Sequence, residues 1–192
     1  MNILLMLSAD GHALQQTAEA EAFEALYALY YQPIARYLTQ LCGSPEQAEE
    51  LAQETFVRAY TGLLTFRHEA TVATWLFRIA RNLYLNSQRR QQAAPIDAAQ
   101  WQAIPDQSGY GDPDLHIAAT EQRAAIRVAL EQLPEPHRSI LLLRDGAGLS
   151  YVEVADVIGI SVAAVRMKLF RARNIFRRAY SELEGDHDDG EL

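Results

Sequence analysis

Apolar residues recur every three or four positions through the first half of the chain, which is the spacing of amphipathic helices. The repeat is interrupted by helix-breaking residues: Pro33 predicts a break or kink near residue 32, and Gly43 predicts a helix end. Ser44 followed by Pro45 is typical of a helix start, because serine caps a helix and proline suits its first turn. The pattern predicts helical segments over 18–31, 34–42, 45–63 and 71–90.

The helical repeat is lost between residues 91 and 113, where proline and glycine lie among Gln, Ala and Asp. This composition predicts a linker. Helical spacing resumes in segments over 114–132 and 136–145, and no segment alternates as a strand would. We therefore predict an all-α chain of two small helical domains on a flexible linker. The expected divisions are a loose N-terminal extension (1–17), a first domain (18–91), the linker (92–113), a second domain (114–184) and an acidic tail (185–192).

The strongest local signal lies in the second domain. Ser150 and Glu153 have the spacing of a capping box, and Gly159 followed by Ser161 predicts a tight turn and a second helix cap. This order of helix, glycine-containing turn and helix is that of a helix-turn-helix. On the second helix an apolar stripe faces inward, formed by Val162, Val165, Leu169, Ala172 and Phe176. The outward positions are Ala163, Met167, Phe170, Arg171, Asn174 and Arg178, flanked by Arg166, Arg173, Arg177 and Lys168.

Such a helix could enter a DNA major groove, with its first turns near base edges and its cations on phosphates. The alternative is a basic surface helix of an ordinary helical bundle. The formal net charge of −8 argues against nucleic acid only at first sight, because the basic residues form two islands. Residues 66–90 carry five basic residues and one acidic residue, and residues 161–180 carry six basic residues and none acidic.

Composition excludes several other classes of protein. The single cysteine, Cys42, rules out an internal disulfide framework and a cysteine-cluster zinc site. The chain shows no catalytic Ser/His/Asp order, P-loop or dinucleotide fingerprint, so we expect no enzyme, catalytic residue, cofactor or metal. No apolar run reaches the roughly 18–20 residues of a membrane span, and residues 1–7 make a poor signal peptide. We expect a cytoplasmic protein without membrane insertion.

Taken in order, these segments resemble the extracytoplasmic-function (ECF) group of bacterial RNA polymerase sigma factors, over about residues 22–183. The N-terminal blocks read FEALYALYYQPIARYL, AEELAQETFVRAY and TFRHEATVATWLFRIARNL. The C-terminal blocks read LEQLPEPHRSILLLRDGAGLSYVEVADVIGIS and VAAVRMKLFRAR. The resemblance implies a region 2-like bundle and a region 4-like helix-turn-helix. It also implies a factor that binds core RNA polymerase, directs it to specific promoters and helps melt the DNA.

The resemblance also implies contacts with the polymerase. The helix matching AEELAQETFVRA would dock on the clamp helices of the largest subunit, and the flap would provide a further contact. An acidic, partly apolar helix face suits a basic partner, although at least one of the two apolar members would simply fill the core. The matching positions are Glu49, Glu50, Leu51, Gln53, Glu54 and Phe56.

In the family, the loop matching LTFRHEATVAT captures an unpaired base of the minus-ten element. Binding extruded bases offsets the cost of unstacking them, which is a few kcal/mol. Trp75 is expected to be a core residue rather than a base-stacking one, and His68 a loop residue rather than a metal ligand. The minus-ten candidates are Phe66, Arg67, His68, Glu69, Thr71, Arg78, Arg81 and Asn82.

The helix-turn-helix matches the domain that reads the minus-thirty-five element. The chain departs from the family where Ala163-Ala164-Val165 replaces a frequent Gly-Thr-Val, so its promoter preference is expected to differ. Family members are commonly inhibited by an anti-sigma factor, which the resemblance implies as a partner. The alternative function is a stand-alone helix-turn-helix repressor or activator, which would bind duplex DNA without polymerase. The minus-thirty-five candidates are Ser161, Ala163, Ala164, Arg166, Met167, Lys168, Arg171 and Arg173.

Overall fold

Helices in two modules make up the part of the chain that the structure describes. This computed structural model describes residues 3–63, 70–93 and 113–188, with side chains described over 20–63, 70–92 and 122–183, and contains no strand within these ranges. We call α1–α3 the N-terminal module and α4–α7 the C-terminal module. The helices are α1 (Ile3–Cys42), α2 (Pro45–Gly62), α3 (Val72–Ala93), α4 (Pro113–Glu131), α5 (Glu135–Leu141) with a π-helical continuation (Leu142–Gly146), α6 (Tyr151–Ile158) and α7 (Val162–Asp188).

Hydroxyl caps fix the starts of α2 and α3. The backbone N–H of Gln47 donates to Ser44 Oγ at 3.3 Å, and the backbone N–H of Thr74 donates to Thr71 Oγ1 at 3.2 Å. Each bond satisfies one of the amides that a helix start leaves unpaired. Gly43, at a φ of 71°, reverses the chain between α1 and α2. The predicted helix start at Ser44 is confirmed.

The turn between α6 and α7 is also set by local chemistry. The backbone N–H of Glu153 donates to Ser150 Oγ at 3.2 Å, and the Ser150 N–H donates to Glu153 Oε2 at 2.8 Å. Gly159 then ends α6 in the left-handed region at a φ of 80°, and Ser161 Oγ accepts the Ala164 N–H at 3.2 Å. The capping box, the glycine turn and the second cap predicted from the sequence are confirmed.

Helix α1 differs from its prediction in two ways. It begins at Ile3, whereas residues 1–17 were expected to be loose, and it continues through Pro33, where a break or kink was expected. Residues 3–17 are rich in Leu, Ala and Gln, and good helix formers extend a helix without an amphipathic repeat. Beyond Pro33 the helix buries Ile34 and Leu38 completely, which offsets the hydrogen bond that proline cannot make.

The C-terminal module also differs from its prediction in detail. The helix expected over 136–145 changes to π-helical geometry at Leu142, where the N–H of Ala147 donates to the Leu142 carbonyl at 2.8 Å. Such a π segment ends a helix with a wider turn. The acidic tail expected from residue 185 is in part helical, because α7 continues to Asp188. Residues 94–112, most of the expected linker, lie outside the described residues.

The two modules share one contiguous apolar core. Helix α3 packs against α1 and α2 within its own module and against α6 of the other module. It buries Phe77, Ala80 and Tyr84. The Tyr37 and Phe77 rings meet edge to face with centroids 5.4 Å apart.

Polar groups also join the modules inside this interface. The hydroxyls of Tyr37 on α1 and Ser139 on α5 are hydrogen-bonded at 2.7 Å, and both residues are buried. Burial also raises the pKa of the Tyr37 phenol, so this hydroxyl stays protonated. Arg138 Nη1 donates to the Leu41 carbonyl at 3.2 Å. A buried hydrogen bond costs free energy when broken and left unpaired, so these contacts fix how the modules meet.

We predict that Gly159→Ala lowers the free energy of unfolding by about 1 kcal/mol, because a Cβ disfavours the left-handed region by roughly that amount. Open space surrounds the position, so the cost is backbone strain alone. Gly146→Ala is the matched control: its Cβ would meet only Leu142 Cδ2 at an ordinary 4.0 Å. Urea unfolding of both variants measures the difference, and equal effects would contradict this account of the turn.

We also predict that Glu153→Gln lowers stability at neutral pH, by less than about 1 kcal/mol for this exposed cap. Hydrogen bonds from the Ser150 N–H, its hydroxyl and Thr71 hold the pKa of Glu153 below its usual 4.5. A lowered carboxyl pKa stabilises the fold above the unfolded-state pKa, and this contribution is lost as the pH falls through the folded-state value. The difference from the parent should therefore shrink below about pH 4.5 in urea titrations. If the stability difference between the variant and the parent instead grew in acid, the pKa of Glu153 would have to be raised rather than lowered.

Candidate nucleic-acid interface

The first four turns of α7 have one face in the core and one in solvent. The inner stripe is buried at Val165, Leu169 and Ala172, as predicted. On the outer face, Met167 is 61% exposed and Phe170 is 68% exposed. Contiguous exposed apolar side chains often mark an interaction surface. Phe170 was not among the candidate site residues, although its outward position followed from the helical spacing.

The eight minus-thirty-five candidates divide by exposure. Five of the eight are exposed, namely Ser161, Ala163, Arg166, Met167 and Arg171. The other three, Ala164, Lys168 and Arg173, are partly buried. The exposed set extends from the capped N-terminus of α7 along its outer face. This is the geometry with which a recognition helix presents its first turns to base edges.

Tyr151, the first residue of α6, orients the N-terminal turns of α7. Its ring has a guanidinium near it from each of two elements: Arg144 Cζ lies 4.9 Å and Arg166 Cζ lies 5.5 Å from the ring centroid. Both distances are within the range of cation–π attraction. Arg144 is further fixed by donating to the Leu149 carbonyl at 2.8 Å. The ring therefore restricts Arg166 beside the reading face.

Arg173 forms an ion pair within the protein. Its Nε and Nη2 donate to the two carboxylate oxygens of Asp145 at 2.9 and 2.6 Å, which is a bidentate pair. Asp145 lies in the π segment, so the pair joins that segment to α7. Hydrogen bonding to Asp145 also raises the pKa of Arg173. The Arg173 guanidinium is thus already bound to a carboxylate of the same chain. To bind DNA, it would have to leave Asp145 and bind a phosphate instead.

His137 marks a concentration of positive charge next to α7. Burial, followed by the charges of Lys168 and Arg171, lowers the pKa of His137 from its usual 6.5. Its Nδ1 is buried and makes no hydrogen bond within the described part of the chain. Lys168 and Arg171 of α7 thus bring positive charge close to His137 of α5.

The minus-ten candidates are only partly described. Phe66, Arg67, His68 and Glu69 lie outside the described residues. The others are on or next to α3, where Asn82 is exposed and three make contacts with the C-terminal module. Those three are Thr71, Arg78 and Arg81. Trp75 packs against the core, and a β-carbon on Gly62 would lie 3.1 Å from its Cζ2, as expected of a core residue.

The candidate polymerase-binding residues form the outer face of α2. Glu49, Glu50 and Gln53 are exposed, and Leu51 is half-buried. Glu54 accepts from Arg58 Nε at 2.7 Å along the same helix. Phe56 is only 3% exposed, so its ring fills the core. Phe56 is therefore the apolar member of this set that was expected to be structural.

Aromatic rings extend this face at its C-terminal end. Phe56 packs edge to face on Tyr27 with centroids 4.8 Å apart, and Phe23 packs on Tyr60 at 5.1 Å. Val57 and Tyr60 are 59% and 58% exposed. The acidic face of α2 thus borders an exposed apolar surface. The candidate set omitted both residues, although their spacing from Gln53 and Phe56 could have indicated it.

Chemically reactive groups are scarce in the described ranges. No group of three or more His, Cys, Asp or Glu side chains there could hold a metal ion. Burial raises the pKa of the Cys42 thiol to about 12, so the thiolate that would react is absent at neutral pH. Among the described helices, none combines the length and apolarity needed to cross a bilayer.

Comparison with known proteins shows the family to which this chain is similar. Residues 26–94 match Sigma-70 region 2, and residues 123–175 match Sigma-70 region 4. RNA polymerase sigma factor YlaC of Bacillus subtilis is 35% identical over 153 residues, covering 80% of this chain and 88% of that protein. The ECF RNA polymerase sigma-E factor of Escherichia coli is 32% identical over 165 residues, covering 82% and 86%.

A solved structure shares the fold. The sigma factor RpoE of Bartonella quintana, in complex with the anti-sigma factor NepR, superposes with a TM-score of 0.67 at 21% identity, covering 84% of this chain and 98% of that one. Region 2 lies in the N-terminal module, region 4 lies in the C-terminal module, and both sequence relatives are sigma factors. The chain therefore belongs to the ECF group of the sigma-70 family of RNA polymerase sigma factors.

Proposed function

We propose that the chain is a dissociable specificity subunit that binds core RNA polymerase, directs it to a set of promoters and helps to separate the DNA strands. The observation that carries this proposal is the outer face of α7, held by two serine caps and a glycine turn and exposed at Ala163, Met167 and Phe170. The chain acts by binding, without catalytic chemistry or a cofactor of its own, in the cytoplasm where polymerase and DNA are found.

In this proposal α7 reads the minus-thirty-five element from the major groove. Ala163 allows close approach of the helix to the bases, and Met167 and Phe170 offer apolar contact to thymine methyl groups. Arg171 reaches a guanine edge or a phosphate. Arg166, restricted by Tyr151, and Lys168 bind the backbone, which positions the helix without specifying sequence.

The N-terminal module acts on the minus-ten element. We assign strand separation to residues 66–69 together with Thr71, Arg78, Arg81 and Asn82, following the family. Melting without ATP requires that the unstacked bases be bound, since unstacking costs a few kcal/mol. A pocket for an extruded base and cations for the single strand provide that binding.

The acidic face of α2 binds the clamp helices of the polymerase. Its carboxylates at Glu49 and Glu50 complement a basic partner and speed association, while Leu51, Val57 and Tyr60 add apolar contact area. Polymerase is required for tight promoter binding because the chain carries a net charge of −8. Affinity for duplex DNA comes largely from neutralising phosphates, which this free chain does poorly.

We further propose an anti-sigma factor as a negative regulator. Its support is the family and the fold shared with a sigma factor solved in complex with such a protein. The stand-alone repressor or activator is the competing function, and the helix-turn-helix by itself would serve it equally well. The two functions differ in whether polymerase is needed.

The test is transcription reconstituted from core polymerase, this chain and a genomic library of templates. We predict transcripts from a subset of templates that share a two-part motif. The holoenzyme should bind those promoters at least about tenfold more tightly than the chain alone at the same salt concentration. Equally tight binding of the intact duplex by the free chain would favour the repressor instead.

We predict that Arg171→Ala weakens holoenzyme binding to these promoters by about 1–3 kcal/mol, or roughly 5- to 150-fold, if Arg171 contacts a base. Arg178→Ala is the matched control, since it removes the same charge from the same helix two turns further on, where it pairs with Glu182. Fluorescence anisotropy on promoters with minus-thirty-five substitutions separates the two. Identical losses for both variants on every promoter would show that only net charge matters.

A further inference from the structure

The face of α3 proposed to bind the minus-ten element is engaged by the C-terminal module. Arg78 Nη2 lies 2.7 Å from Asp156 Oδ2 of α6. Arg81 Nη2 lies 3.6 Å from Glu135 Oε1 of α5, and its Nε donates to Ser139 Oγ at 3.3 Å. We call these two carboxylates and the arginines they face the α3 clasp.

A third contact extends the clasp to the start of α3. Thr71 Oγ1 donates to Glu153 Oε1 at 2.9 Å. Thr71 is the N-cap of α3, and Glu153 belongs to the capping box of α6. The first turns of the two helices therefore meet, and the three described α3 candidates in contact with the C-terminal module face acidic or hydroxyl groups.

The two ion pairs differ in burial. The Arg81 and Glu135 side chains are only 12% and 25% exposed, whereas Arg78 and Asp156 are 40% and 47% exposed. Attraction between charges is stronger where water is excluded, but the Arg81–Glu135 pair is too long, at 3.6 Å, to be a hydrogen bond. The directional contact of Arg81 is its hydrogen bond to Ser139 Oγ. Ser139 links it to the buried hydrogen bond with Tyr37. The Arg78–Asp156 pair is shorter, at 2.7 Å, but its exposure to solvent lets salt screen it.

We propose that the α3 clasp is an internal competitor of promoter DNA. A carboxylate beside a guanidinium neutralises its charge and repels an approaching phosphate, so the two anions compete for the same arginine. In the closed chain Asp156 and Glu135 occupy the arginines that would otherwise bind the DNA strand. The modules must separate before α3 engages DNA. This inference rests on the function proposed above.

The clasp would lower the fraction of molecules in which the two modules are apart. When only a fraction of the molecules is competent to bind, the apparent affinity falls by that fraction. The shared apolar core and the Tyr37–Ser139 bond favour closure, and the clasp adds charge specificity to it. The closed chain would thereby bind bulk nucleic acid more weakly than a chain whose modules are apart.

The first experiment measures module separation without DNA. Spin labels at Leu29→Cys on α1 and Ser181→Cys on α7, both exposed positions, are placed in a Cys42→Ala background. We expect Glu135→Gln/Asp156→Asn to shift the distance distribution to longer, broader values. The matched control, Glu131→Gln/Glu182→Gln, removes two charges from exposed sites of the same module and should leave the distances unchanged.

The second experiment measures binding of the same two variants to a labelled mixed-sequence single strand of about 20 nucleotides. We expect the clasp variant to bind at least about fivefold more tightly than the control, since both lose the same charge. The reversed pair Arg78→Asp/Asp156→Arg should return the distances toward those of the parent, which Asp156→Arg alone should lengthen.

Unchanged distances in the clasp variant, or equal gains in binding for both variants, would overturn the proposal. The distance measurement requires neither polymerase nor promoter. A failure of the clasp is therefore distinguishable from a failure of the proposed sigma function, which the reconstituted transcription tests separately.

Discussion

Helix α3 is packed by both modules, and the arrangement of the described chain depends on this double burial. Phe77 and Leu76 are almost completely buried. The Tyr37 ring packs on Phe77, and the Tyr37 hydroxyl is hydrogen-bonded to Ser139 of the other module. A single helix thus completes the N-terminal core and forms the module interface. Because the same helix carries cations proposed to bind DNA, closure and promoter engagement compete for one element.

The elements that the sequence predicts well are those determined by nearest neighbours. The Ser44 cap, the Ser150–Glu153 capping box and the Gly159 turn each depend on residues at most three positions apart. Hydroxyl caps and left-handed glycines need no distant partner, so their spacing predicts them. The inner and outer faces of α7 follow in the same way, since helical periodicity alone separates Leu169 from Phe170.

The features that the sequence could not predict depend on residues far apart in the chain. The spacing predicts a helix over 71–90, but it does not show that this helix packs against a distant module as well as its own. The bidentate pair of Arg173 with Asp145 spans 28 positions, and nothing in the local pattern distinguishes that arginine from its neighbours. The continuation of α1 through Pro33 likewise depends on burial of the residues that follow it.

The division of α7 into an inner and an outer face has a consequence for how such proteins diversify. Val165 and Ala172 are committed to holding the helix in place, while Met167 and Phe170 contribute little to folding because solvent surrounds them. Gene duplicates could therefore exchange the outer residues freely and acquire new target genes without first evolving a more stable scaffold. A single architecture could in this way supply a bacterium with many regulons, each distinguished by a few side chains.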